Sequence, residues 1–413
     1  MLLFTPRGRL MSLLLRPSFL LMRPLLATLA TFCILLTGSL GLRAKPLDRI
    51  ETVVLTSPAG GVRLSGVLRM PSGPGPFPAV VLLPERGSDA GNPQSADNQL
   101  LNTLTDYLVS QGMAVLRLKE RGQGGSEGSF STTTFNERSA DAIAALNYLR
   151  TRPQLDVTRL GLIGHGEGAN VALLAGAQPL APTFIVALAA AGLPGREVLA
   201  TQPVMYGKLL GNDSTDLMRQ RQYRRDLAAA EQQADAMRAK GSNSAQVQTY
   251  LDQQRMRQKM AVRRDEASLI KHQRAMLEIV RQTPDNNQAQ TILTNMLRQR
   301  YPGIAPADVQ ASVQLLTTPA YRDYLAFDPQ ASLAGVRCPV LLLQGDDDTL
   351  VNPLANAPLL KKGLHANSRV VEKHYPGLNH ALQITSAIAA GMSPPPISVD
   401  APADIHTWIL SQK

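Results

Sequence analysis

The sequence predicts an α/β protein with a mostly parallel central sheet flanked by helices and interrupted by an all-helical insertion. Three observations predict it. Short apolar runs (AVVLL, AVLRL, LGLIG, FIVAL, VLLLQ) alternate with segments of helical pattern, as expected of strands buried on both faces. Between about 205 and 328 the alternation stops, and Gln, Arg, Ala and Met dominate without a strand pattern. At 161–168, GLIGHGEG sets a strand, a sharp Gly-rich turn and a helix in immediate succession.

Residues 1–44 stand apart. They carry Arg7, Arg9, Arg16, Arg23 and Arg43 with no acid, and 25–42 is an uncharged apolar run ending near the small residue Ala44. This reads as a secretory signal cleaved near Ala44, giving a periplasmic or extracellular protein, with an inner-membrane anchor as the alternative. Cys33 follows Phe32 rather than a small residue, which argues against a lipoprotein signal, and Met22-Arg23 offers a second start. Losing those five arginines halves the formal net charge of +10. The rest of the excess sits in 211–300, with 16 basic and 10 acidic residues. No aromatic residues interleave with a basic stripe, so nucleic-acid binding is not expected. Cys338 is then the sole cysteine, which excludes an internal disulfide, and no Cys/His cluster suggests a metal.

From 45 onward the elements follow in order. Strands 51–56 and 62–70 meet at Gly60-Gly61, a hairpin signal. PSGPGP breaks the chain before strand 79–83, helix 97–111, strand 113–118 and helix 135–151. Strand 159–163 leads into the Gly-rich turn, a helix follows from 169, and strand 184–189 closes the first core segment, 45–204. The insertion, 205–328, is expected to cap the sheet edge. Its helices are punctuated at Lys240-Gly241, near Ser244, at Thr283-Pro284 (an N-cap followed by a first-turn proline) and at Tyr301-Pro302-Gly303. Seven of the thirteen Met lie between 205 and 296, as helical core or as the roof of a pocket. The second core segment, 329–413, resumes with strands 339–343 and 369–374 and a last helix near 401–411.

The turn at 161–168 has the shape of a nucleophile elbow, G-x-S-x-G, with Gly166 at the apex where Ser belongs. LLLQGDDDTLV places an acidic cluster past a buried strand, and Asp348 is the candidate to orient a histidine; Asp346 and Asp347 read as solvated or turn-forming. A calcium loop would need a ligand spacing this cluster lacks. HYPGLNHAL delivers His380 after the next strand, while His374 reads as structural. The order nucleophile position, acid, histidine suits acyl transfer on this architecture.

These stretches, with GPFPAVVLL, MAVLRLKERGQGGSEG, DPQASLAGVRCPVLLLQGDDDTLV and PGLNHALQ, resemble the α/β-hydrolase superfamily, in particular secreted bacterial esterase-like members with a helical cap. The resemblance covers nearly all of the chain outside the signal and the cap. It implies a carboxylic-ester or acyl hydrolase lineage with the nucleophile position at Gly166, the acid at Asp348 and the base at His380. It also implies an oxyanion loop after strand 79–83, where this chain has Pro84-Glu85-Arg86-Gly87 in place of small residues, and a second oxyanion donor in the Glu167 N–H. Pro84 has no N–H to give, and Glu85 and Arg86 bring bulk and charge.

His165 and Glu167 flank the apex and are expected to point away from the pocket, Cys338 lies at the wrong end of its strand, and Ser126 has no elbow to aim it. The expectation is a catalytically impaired protein that binds an acyl or ester-like small molecule under its cap, without a cofactor, with Gly166→Ser expected to restore an attacking hydroxyl. The alternative is a weak ester hydrolase using water activated by His380 or an unconventional nucleophile. Gly164-x-Gly166-x-x-Ala169 also fits a dinucleotide fingerprint formally, but the following strand, TFIVALAAAG, offers no acid for a ribose.

Overall fold

The computed structural model describes residues 48–85, 94–202 and 215–412, with side chains from 222 onward in the last segment. The expected signal, Arg86, Gly87 and Met205 lie outside the described residues. Strands β1 (Arg49–Thr56), β2 (Arg63–Met70), β3 (Phe77–Leu83), β4 (Ala114–Leu118), β5 (Leu155–His165), β6 (Phe184–Leu188), β7 (Val340–Gly345) and β8 (Val370–Tyr375) form one eight-stranded sheet in the order β1-β2-β4-β3-β5-β6-β7-β8. β1–β2 and β2–β4 are antiparallel, and every later pairing is parallel. This is the mostly parallel α/β-hydrolase sheet that the resemblance implies.

The pleat sorts each apolar strand onto two cores. Ala79, Val81, Leu162, Ile185, Ala187 and Leu342 face helices α2 (Phe135–Arg150) and α3 (Glu167–Gly176). Val80, Leu82, Ile163, Val186, Leu341 and Leu343 face α1 (Ala96–Ser110) and the C-terminal helix Asp400–Ser411. Continuous apolar runs follow from this: with both faces covered, Leu160–His165 of β5 and all of β6 and β7 are buried.

Between β6 and β7 the described chain is helical: α4 (Gly195–Thr201), α5 (Thr215–Ala239), α6 (Ser244–Gln282), α7 (Asn286–Arg300), α8 (Pro306–Leu316), α9 (Pro319–Ala326) and the short α10 (Gln330–Leu333). Asn243 and Gln246 close a capping box on α6. Thr283 ends α6 rather than starting α7; its N–H donates to the Ile279 carbonyl, and Asp285 caps α7 by accepting from the Gln288 N–H. The cap falls after Pro284 because an acidic oxygen at 285 reaches the free first-turn N–H of Gln288. Met276, Leu277, Val280, Leu293, Leu297, Val313 and Leu316 join the main core. Ala234, Val247 and Leu251 form a separate small cluster between α5 and α6.

Candidate active site

Gly166 sits between β5 and α3 with φ 54° and ψ −120°, a left-handed conformation that suits glycine because no Cβ meets the backbone. Its neighbours are constrained by space. A Cβ on Gly164 would lie 2.2 Å from the Gly168 carbonyl oxygen, and one on Gly168 would lie 2.2 Å from that of Leu83. The elbow is therefore pressed against the end of β3, which brings Glu85 to the apex.

Two loops at the carboxyl edge complete the site. Asp348 follows β7 and is buried; its Oδ1 accepts from the N–H groups of Leu350 and Val351, both at 2.8 Å. Its Oδ2 faces Nδ1 of His380 at 2.7 Å. Asp346 and Asp347 are exposed, engaging His374 and the Thr385 hydroxyl respectively. His380 follows β8, and its Nε2 points at the apex: a Cβ on Gly166 would lie 3.3 Å from that nitrogen and 3.1 Å from Cγ of Glu85. Gly166, Asp348 and His380, remote in sequence, thus come together with Glu85.

Glu85 alters the chemistry. One of its carboxylate oxygens lies 3.7 Å from His380 Nε2, an ion-pair distance too long for a hydrogen bond. Burial works against a charged imidazole at His380, but the hydrogen bond and charge of Asp348, with Glu85 on the other side, outweigh it and push the pKa up to about 10. A histidine held as imidazolium donates from both nitrogens and cannot take a proton at neutral pH. The N–H of Glu85 itself turns to Asp97 at 3.4 Å.

A cavity of about 280 Å³ opens above Gly166, bordered by Glu85, Glu167, Leu315, Tyr321 and Tyr324 among others. Its upper wall comes from α8, α9 and the turn between them, and no methionine lines it among the described residues. Glu167 opens α3 and borders this cavity, contrary to the expectation that it points away. Its carboxylate meets Arg138 at 3.2 Å. Arg138, which the sequence did not single out, also donates to the Pro84 carbonyl at 2.8 Å and faces Glu120 at 3.6 Å, tying β3, β4 and α3 together.

His165 turns from the cavity but is integral to the site. Its Nε2 donates to the His380 carbonyl at 2.9 Å, and its Nδ1 meets Asp97 at 2.5 Å. The only sequence signal for this role is its place beside the apex. Glu85, His165 and His380 each bring a ligand-type atom within 4.8 Å of the others. A cation there would cost His165 one of these two bonds, so the set fits a positioning network better than a metal centre.

Ser126 accepts from the Ser65 N–H and donates to the Lys119 carbonyl, closing a loop. Cys338 is buried before β7, and burial pushes its thiol up to about 11.

The sequence model of the X-Pro dipeptidyl-peptidase (S15) family matches residues 60–357. Esterase EstD of Thermotoga maritima is 33% identical over 106 residues, 26% of this chain and 25% of that protein. Esterase FrsA of Klebsiella pneumoniae is 30% identical over 151 residues, 36% of this chain and 33% of that protein. The matched segments thus span about a quarter to a third of these relatives. A solved Pyrococcus furiosus esterase superposes with a TM-score of 0.49 at 13% identity, covering 88% of this chain and 92% of its own.

Proposed function

The chain is a member of the X-Pro dipeptidyl-peptidase (S15) family, and from that premise we propose that it keeps the hydrolase scaffold as a binding protein with impaired catalysis. Its ligand is a small acyl or ester-like compound held in the cavity above Gly166, beneath the helical insertion. The observation that carries this reading is the occupancy of the apex. Where a nucleophilic side chain would project, there is no Cβ, and Glu85 and His380 close on the space at 3.1 and 3.3 Å. Acyl transfer needs an attacking group and a neutral base; the apex offers no side chain, and the imidazole is held charged. Water activation by His380, the weak-hydrolase alternative, needs the same neutral imidazole. Export of the protein belongs to this reading and rests on the Arg-flanked apolar run before Ala44 alone.

The test is direct. Wild-type protein is expected to show negligible turnover of p-nitrophenyl butyrate and no labelling by a fluorophosphonate, while short acyl compounds bind in calorimetric titration. Turnover that persists in His380→Gln would place the chemistry on other residues, and failure of every acyl compound to bind would remove the binding function.

A further inference from the structure

We infer that the cavity above Gly166 is selective for a primary or secondary carboxamide, whose carbonyl accepts the Nε2–H of His380 and whose N–H donates to the carboxylate of Glu85. The inference rests on the binding function proposed above and names its ligand class.

His380 is 6% exposed, and its Nε2 has no hydrogen-bond partner among the described residues. A buried donor left unpaired is costly, and native proteins rarely tolerate one without a ligand or water to meet it. The nitrogen points at the space that Gly166 leaves open, 3.3 Å from where a Cβ would stand. Glu85 borders the same cavity, its carboxylate oxygen 3.7 Å from that nitrogen. A donor and an acceptor therefore stand side by side, close enough to attract each other and too far apart to bond. Nδ1 already faces the Asp348 carboxylate at 2.7 Å, so both ring nitrogens carry protons between flanking carboxylates.

A group that bridges this pair needs an acceptor and a donor on adjacent atoms. A carboxamide with at least one N–H has that pattern. An ester has two acceptors: its carbonyl suits His380, but its second oxygen sets lone pairs against Glu85. A carboxylate adds repulsion there. A tertiary amide, the X-Pro bond included, has no N–H to give. Leu199, Leu315, Tyr324 and Val351 supply apolar wall for the rest of the molecule. A ligand N–H adds a charge-assisted hydrogen bond to Glu85 that analogues without it cannot make.

The experiment is a calorimetric titration of the full chain with hexanamide, N-methylhexanamide, N,N-dimethylhexanamide and methyl hexanoate. The first two are expected to bind at least about tenfold more tightly than the last two. In Glu85→Met, which removes the acceptor, the four affinities are expected to converge. Equal binding of the dimethylamide or the ester to wild-type protein overturns the inference and leaves the binding function standing. If none of the four binds, both fall. If Glu85→Met fails to fold, the wild-type series decides by itself.

Discussion

At the scale of single residues, Glu85 governs what a hydroxyl at position 166 could do. The expectation that Gly166→Ser restores attack treats the apex as a simple vacancy. The new Cβ would instead stand 3.1 Å from Glu85 Cγ, beside a histidine held charged. Gly166→Ser is therefore expected to remain inert toward p-nitrophenyl butyrate, and Gly166→Ser/Glu85→Gly to exceed it by at least about tenfold, since proton transfer by a positioned base is worth about 10²–10⁴. Equal activity of the single and double variants would show that Glu85 is no clamp.

The same pair makes a pH signature. The folded pKa of His380 is raised, so its contribution to stability is complete below the ordinary histidine value near 6.5 and is lost as pH rises toward about 10. Urea midpoints measured across that window are expected to fall with pH in wild type, and less steeply in His380→Gln. Parallel slopes would contradict the raised pKa.

At the scale of elements, the elbow is a packing device before it is a catalytic one. Gly164 and Gly168 are needed because backbone lies 2.2 Å from where their Cβ atoms would be, whereas Gly166 is favoured by its positive φ. The two demands carry different penalties. Gly166→Ala is expected to cost about 1–3 kcal/mol of backbone strain. Gly168→Ala must push β3 off α3 and should cost more, or prevent folding. Chemical denaturation of the two variants orders them, and a Gly168→Ala protein as stable as Gly166→Ala would refute the collision. The motif was legible because both demands select glycine. The role of His165 was not legible, since its partners, Asp97 on α1 and the His380 carbonyl, are 68 and 215 residues away.

At the scale of the whole molecule, the helical insertion has two parts with different attachments. The C-terminal half of α6, with α7, α8 and α9, shares the main core, and α8 and α9 wall the cavity. The α5–α6 hairpin holds its own cluster around Leu251. Leu251→Ala, a change that costs about 2–5 kcal/mol in a well-packed site, is expected to speed amide exchange within residues 222–260 while leaving β5 and β6 protected. Loss of protection throughout the sheet would show that the hairpin folds as one unit with the core.

By itself, the sequence determined what local pattern can encode. Apolar runs marked strands buried on both faces, glycines marked the turn, and the order of Gly166, Asp348 and His380 marked the candidate site. Those features depend on a residue and its near neighbours, or on chain order alone. Tertiary structure decided what depends on distance across the fold. It turned Glu167 toward the cavity, gave Arg138 the Pro84 carbonyl, and brought the Glu85 carboxylate to the nitrogen a serine would have needed. A charge 295 residues from its partner leaves no periodicity to read. Only the parallel pairing of β3 with β5, which holds Glu85 at the apex of the turn, and the loop after β8 set the two side by side, and there the electrostatics of the pair sets the state of the site.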